Sequence, residues 1–252
     1  MTAWSALGRP KTYAAFGRND LRGTYRDPLL VMLVLAPAIW TVGTAVLLPR
    51  LAVSLARRYD FDLVPYYPVA ITGLLLLTSI IVVGGLAAFL VLDEVDAGTL
   101  TALRVTPVPL AGFFGYRAAT VVAVTTVYVT VTIPLTGLLP SLPVWPLIPI
   151  GVVAGLSSVV TMLLIVGVAN NKVQGIAMLR LLGLLIAGIP CLPWFVESAW
   201  NLAFGVLPPY WAAKAFWVVV EGGTWWPYLI GGVVFNVAAG WPLLRHFLAK
   251  NT

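Results

Sequence analysis

The sequence has 252 residues, of which 60% are hydrophobic and only 10% are charged. A soluble domain carries roughly a quarter charged residues, so this composition excludes an ordinary soluble protein and predicts a chain that lies mostly in lipid. The formal net charge of +6 fits basic residues at a membrane surface. We therefore expect no nucleic-acid partner.

The first 26 residues interleave aromatic residues with five Lys or Arg residues. They lack the apolar centre of roughly 7 to 15 residues that a cleavable signal peptide needs. Basic and aromatic residues in alternation are typical of a helix in the headgroup layer, and a disordered basic tail is the alternative. The sequence predicts an interfacial helix over residues 1–26, with these basic residues near the lipid: Arg18, Arg22 and Arg26.

Six apolar segments follow, and each is long enough to cross about 30 Å of hydrocarbon. The longest uncharged run, 118–171, must hold two helices, because five prolines between Pro134 and Pro149 interrupt it. We predict an all-α integral membrane protein, with residues 1–252 forming a single transmembrane domain. The expected spans are residues 28–49, 66–92, 113–139, 144–169, 175–196 and 225–248.

The distribution of Lys and Arg predicts the orientation of the spans, because basic residues in short loops stay on the cytoplasmic side. With the N-terminus inside, eleven of the fifteen basic residues face the cytoplasm and four face outward. Both termini are therefore expected in the cytoplasm. The same arrangement places the connection between the second and third spans inside.

That connection, residues 93–110, contains three carboxylates followed by a short helical pattern. Asp93 and Glu94 oppose the macrodipole of a helix that ends there, so we expect them to begin a following short helix instead. Gly98 permits the change of direction, and two leucines share one face of the new helix. A helix of two turns is unstable alone, so the pattern predicts that it docks on a partner. An amphipathic helix resting on the membrane is the alternative.

Residue types that do chemistry are scarce in this chain. The single histidine, His246, is expected at a helix end, and the single cysteine, Cys191, is expected as a small core residue. No phosphate-binding loop of the G-x-x-x-x-G-K-[ST] type is present. Arg117 and Arg180 lie near the cytoplasmic boundary, where we expect them to snorkel and anchor their helices, with substrate contact as the alternative. The sequence thus predicts neither an enzyme nor a metal site, and a proton-coupled carrier is disfavoured.

The segment 197–224 is expected outside, and it is too short and broken for two more spans. Its many aromatic residues favour the membrane interface, which predicts short re-entrant or surface-lying helices. The segment is interpreted as an aromatic belt, with an outer gate for an apolar substrate as the sharper alternative. The candidate gate residues are Pro208, Pro209, Tyr210 and Trp211.

The connection between the second and third spans resembles that of ABC-2 type permeases, the membrane subunits of one class of ATP-binding-cassette transporter. That family places a Glu-Arg-Glu-x-Gly-Thr-Leu-like stretch, then Leu and Thr-Pro, at this point. Val95 stands where the family usually has a basic residue, and Asp96 replaces the commoner Glu. The matching residues are Glu94, Asp96, Gly98, Thr99, Leu100, Leu103, Thr106 and Pro107.

The resemblance implies the permease subunit of a bacterial exporter in the inner (cytoplasmic) membrane, moving an apolar or amphiphilic compound such as a drug or lipid. Two ATPase subunits would bind ATP and Mg²⁺, and a second permease, identical or related, would complete the path. An ATP-independent channel or carrier half and a membrane assembly protein are the alternatives. The residues expected to couple to the ATPase are Asp93, Glu94, Asp96, Gly98, Thr99, Leu100, Leu103, Arg104, Thr106 and Pro107.

Overall fold

The computed structural model describes residues 28–96, 110–196 and 199–251. Over these residues the chain is helical and has no β-strand. Six helices are long and apolar enough to cross a membrane, which confirms the predicted all-α membrane fold. They are α1 (Pro28–Tyr59), α2 (Val64–Asp96), α3 (Leu110–Leu135), α4 (Leu147–Val168), α5 (Lys172–Phe195) and α7 (Trp226–Asn251).

Shorter helices lie between α5 and α7. A 3₁₀ helix covers Ala199–Val206, and α6 covers Pro208–Val220. With 13 residues, α6 is about 20 Å long at a rise of about 1.5 Å per residue, which is too short to cross the hydrocarbon. This part of the chain therefore folds against the six long helices without adding a span.

Helix α1 continues to Tyr59, ten residues beyond the expected end at residue 49. Pro49 lies inside the helix: it removes one backbone hydrogen bond, but the Leu, Ala and Arg residues that follow it favour helix. Arg57 and Arg58 occupy the last turn, where cations interact favourably with the helix dipole. The helix therefore continues past the first charged residue, Arg50.

The centre of the bundle consists of α2 and α4. In each of these two helices, 72% of the most apolar stretch of 18 residues is buried, against 28% or less in the other four candidate spans. Gly151 and Gly155 of α4 let α3 approach closely: a Cβ at Gly155 would lie 2.7 Å from the Cα of Val122. Small residues four apart are a common way for membrane helices to pack, because backbones come into direct contact.

Helix α2 changes its winding inside the membrane-spanning region. Thr72–Leu77 form a π-helical segment, and Thr72 at its start is buried. The buried indole of Trp217 on α6 donates a hydrogen bond of 2.7 Å to the Thr72 hydroxyl. Helix α6 is thus attached to the central helix by a polar contact as well as by apolar packing.

Side-chain chemistry differs between the two ends of the bundle. At one end, called here the charged end, carboxylates of α2 meet cations of α3 and α5: Asp93, Glu94, Arg117 and Lys172. At the other, called here the aromatic end, rings from five parts of the chain are in contact: Phe61 with Tyr66, Tyr66 with Phe195, and Trp145 with Trp225.

Candidate functional site

The three carboxylates Asp93, Glu94 and Asp96 lie in the last turns of α2. The expectation that Asp93 and Glu94 begin a following helix is therefore wrong. Carboxylates are favoured at a helix N-terminus, as the expectation assumed, but the N-terminus that they meet is that of α5. These side chains are compensated by the N-terminus of α5 and by cations of α3 and α5, which sequence order alone does not place beside them.

Glu94 faces Arg117 near the start of α3. Arg117 Nη2 lies 3.6 Å from Glu94 Oε1, and the Arg117 side chain is only 2% exposed. The expectation that Arg117 snorkels to the lipid surface is therefore wrong. A buried guanidinium needs a counter-charge because desolvation is costly, and the Glu94 carboxylate supplies one.

Asp93 pairs with Lys172, the first residue of α5. Both Asp93 oxygens lie 2.9 Å from Lys172 Nζ. The Lys172 backbone N–H also donates to Asp96 Oδ2, at 3.4 Å. Two carboxylates of α2 therefore lie against the positive end of the α5 dipole, where anions are favoured, and this offsets their unfavourable position at the end of α2.

The start of α5 is fixed in place by its own capping contacts. Asn171 is the N-cap, and its side-chain oxygen accepts from the Gln174 N–H at 2.9 Å. The Gln174 side chain in turn accepts from the Asn170 N–H at 2.9 Å. These bonds satisfy donors that a helix start leaves unpaired, so Lys172 is held in position opposite Asp93.

Val95 stands where ABC-2 permeases usually have a basic residue, and at the charged end the cations lie on neighbouring helices instead. Val95 is partly buried against the core, and the positive charge comes from Arg117 and Lys172 on neighbouring helices. Sequence reasoning did not identify these two cations as partners of the acidic turn. Their position at the same predicted membrane boundary as three carboxylates was the available signal.

Most of the predicted coupling residues lie outside the described residues, and so does the interfacial helix 1–26. The role of all of them stays a prediction. Among the residues that the structure describes, no group of three His, Cys, Asp or Glu side chains could hold a metal ion. Those outside the described residues are Arg18, Arg22, Arg26, Gly98, Thr99, Leu100, Leu103, Arg104, Thr106 and Pro107.

The candidate gate residues lie at the start of α6, where Pro208 and Pro209 occupy its first turn. The Tyr210 side chain is fully buried, and its hydroxyl donates to Asn201 Oδ1 at 3.1 Å. Burial, with a smaller contribution from Tyr228, raises the pKa of Tyr210 to about 12, so the hydroxyl stays protonated. Tyr210 therefore acts as a packing residue in this conformation, and the gate stays a prediction.

Trp211 fills a notch between α6, α7 and the preceding 3₁₀ helix. Its indole N–H donates to the Gly205 carbonyl at 2.9 Å. A Cβ at Gly231 of α7 would lie 2.5 Å from Trp211 Cζ3, so only glycine fits there without movement. Close packing therefore stabilises the aromatic end together with hydrogen bonds. Phe216 and Trp217 are buried core residues rather than parts of an interfacial belt.

Comparison with known proteins agrees with this architecture. A family model described as "Fluoroquinolones export permease protein Rv2686c-like" matches residues 20–244. Two curated relatives are the Fluoroquinolones export permease proteins MT2760 and Rv2686c of Mycobacterium tuberculosis strains CDC 1551 / Oshkosh and ATCC 25618 / H37Rv. Each is 69% identical over 251 residues, covering 100% of both chains. No solved structure matches.

These matches confirm the export permease that the ABC-2 resemblance implied, and with six candidate spans they make the chain a multi-pass membrane protein. The family model covers nearly all of the described helices, from α1 into α7. The chain belongs to the Rv2686c-like family of fluoroquinolones export permease proteins.

Proposed function

We propose that the chain is the membrane-spanning permease subunit of an ABC exporter that moves fluoroquinolone-type compounds out of the cell. The observation that carries this proposal is the 69% identity over the full length to relatives named as fluoroquinolones export permeases. Fluoroquinolones are amphiphilic aromatic drugs, which fits the apolar spans. The energy comes from ATP and Mg²⁺ bound by a separate nucleotide-binding subunit, present in two copies.

The proposed orientation places the charged end in the cytoplasm, with the aromatic end outside. Eleven of fifteen basic residues then face the cytoplasm, as the positive-inside rule requires. Both termini are cytoplasmic, and the protein lies in the cytoplasmic membrane of a bacterium. Aromatic rings at the outer end, including the partly exposed Phe61 and Phe195, occupy the interface that such residues prefer.

The ATPase docks, in this proposal, on the segment between α2 and α3 that contains Gly98, Leu100 and Leu103. The acidic last turn of α2 joins that segment to the bundle. Because Glu94 pairs with Arg117 of α3 and Asp93 pairs with Lys172 of α5, movement of this turn is passed to two further spans. A second permease, identical or related, completes the translocation path.

The test is ATP-driven transport by the complex reconstituted in vesicles. The chain is purified with the nucleotide-binding subunit that accompanies it, and uptake of fluorescent ciprofloxacin into inside-out vesicles is followed with and without ATP. We expect uptake only with ATP and a catalytically active ATPase. Uptake by the permease alone would instead support a channel or carrier half, and a complex that forms without uptake would support an assembly protein.

A matched pair of substitutions tests the docking segment. Leu100→Asp places a carboxylate on the proposed docking face, and we expect ATPase stimulation and uptake to fall together while the chain still inserts. Val144→Asp places the same charge on an exposed apolar residue at the aromatic end and should leave both activities unchanged. Equal effects of the two variants would contradict docking at residue 100.

A further inference from the structure

Arg180 is a charged residue on the exposed face of a membrane-spanning helix. It lies eight residues beyond Lys172 in α5, or about 12 Å along the axis at about 1.5 Å per residue. Its neighbours on the same face are apolar and exposed: Val173 is 77% exposed and Leu184 is 74% exposed. Within residues 28–96, 110–196 and 199–251, Arg180 has no hydrogen-bond or ion-pair partner.

The other cations of α3 and α5 are arranged differently. Arg117 and Lys172 each face a carboxylate of α2, so their charge is balanced inside the bundle. Arg180 is directed away from α2, onto an exposed surface of α5 where contact with lipid is unfavourable for a charge. Snorkelling to the surface is one way to solvate such a charge, and a place on a substrate path is the other.

The position of Arg180 along α5 suits an entry site. Side chains on a helix lean toward its N-terminus, which for α5 is the charged end. The guanidinium therefore lies between the middle of the membrane and the charged end. In an exporter with that end in the cytoplasm, this is the depth at which a compound first leaves the cytoplasmic side.

We propose that Arg180 lines the transport path and binds the carboxylate of the transported compound. The inference rests on the proposed function and adds the group by which the substrate is recognised, the carboxylate that fluoroquinolones carry on a planar aromatic ring system. A guanidinium binds a carboxylate through two parallel hydrogen bonds and also stacks on aromatic rings. Ala177 and Leu184, one turn to either side on the same face, provide the apolar surface for the ring system.

The experiment measures binding to the purified permease–ATPase complex in nanodiscs by the intrinsic fluorescence of the drug. The ligands are ciprofloxacin and its primary carboxamide, which has the same ring system but no carboxylate. We expect wild type to bind the acid more tightly than the amide. Arg180→Gln should weaken binding of the acid at least about tenfold, which corresponds to about 1.4 kcal/mol for the loss of charged hydrogen bonds, and should leave the amide unchanged.

Two further variants make the result specific. Arg180→Lys keeps the charge but loses the two parallel hydrogen bonds of a guanidinium, so binding of the acid should weaken about threefold while binding of the amide is unaffected. This variant replaces Arg180→Gln if that protein does not fold. Arg245→Gln is the control, because Arg245 is also exposed on a spanning helix but lies over the Trp241 ring, 4.8 Å from its centroid. Its binding of both ligands should equal wild type.

The contrary outcomes are distinct. If wild type shows no preference for the acid, or if Arg180→Gln weakens acid and amide equally or neither, Arg180 is an anchor or an interface residue and the inference is overturned. If wild type binds neither compound, the proposed function itself is contradicted, because a fluoroquinolone exporter must bind ciprofloxacin in some form.

Discussion

The charged end and the aromatic end of the bundle connect helices by different interactions. At the charged end, a few carboxylates of α2 face a buried guanidinium of α3 and the capped start of α5. At the aromatic end, Trp211 fits against Gly231 and Trp217 donates to Thr72. Ion pairs depend on the sign of a charge, whereas close packing depends on volume. The two ends should therefore respond to different substitutions.

Reversing the charge at Glu94 is expected to have the largest effect on stability. Glu94→Lys would place an ammonium group beside Arg117, whose side chain is 2% exposed. Breaking a buried pair costs roughly 3 to 5 kcal/mol, and like charges add to that cost. We expect little folded protein in detergent, measured by size-exclusion chromatography after heating.

The control for Glu94→Lys is Glu221→Lys at the aromatic end. Glu221 is exposed at the C-terminal end of α6, so the same change should leave the melting temperature nearly unchanged. If both variants behaved alike, the buried pair would not be what holds α2 to α3.

Adding one methyl group at the aromatic end should have an intermediate effect. Gly231→Ala places a Cβ only 2.5 Å from Trp211 Cζ3, and overpacking costs roughly 1 to 3 kcal/mol. The measurement is the thermal unfolding of the purified chain in detergent. Gly240→Ala is the control on the same helix, because its Cβ would meet only Val160 Cγ2, at an ordinary 3.7 Å.

A second substitution sharpens that test. In a Trp211→Phe background the outer ring atoms are absent, so Gly231→Ala should cost less than it does in wild type. An unchanged cost would show that the strain lies in the α7 backbone and not in the indole.

Neutralising the pair between Asp93 and Lys172 is expected to have the smallest effect. Asp93 is 41% exposed and Lys172 21% exposed, and exposed ion pairs contribute about 1 kcal/mol or less. Asp93→Asn and Lys172→Gln, alone and together, form a double-mutant cycle measured by thermal unfolding. A coupling energy above about 2 kcal/mol would mean that this exposed pair stabilises the fold as much as the buried pair of Glu94 with Arg117. Burial would then not be what separates the two pairs.

The spans were predictable because hydrocarbon thickness fixes how many apolar residues a helix needs. The lengths of individual helices were less so. The first span was expected to end at residue 49, but the helix-favouring residues that follow carry α1 to Tyr59. The membrane boundary limits the apolar part of a helix and not the helix itself.

The partners at the charged end could not be read from order along the chain. Glu94 and Arg117 are both near the same boundary, yet only the rotation of α3 about its axis decides whether Arg117 faces lipid or protein. The nearly uniform hydrophobicity of α3 around its circumference gives no indication of that rotation, since apolar residues occur on all sides. Similarly, the dipole argument for Asp93 was sound, but the helix start that accepts it belongs to α5.

The contact between Asp93 and Lys172 also bears on how the protein is made. The two residues are 79 positions apart, so during synthesis the acidic turn emerges well before its lysine. Helices α3 and α4 lie between the two residues in the chain, so the pair can form only after both helices have been synthesised. Until then Asp93 and Asp96 lack their partner on α5 and need water, so we expect the end of α2 to stay at the membrane surface until a late step of biogenesis.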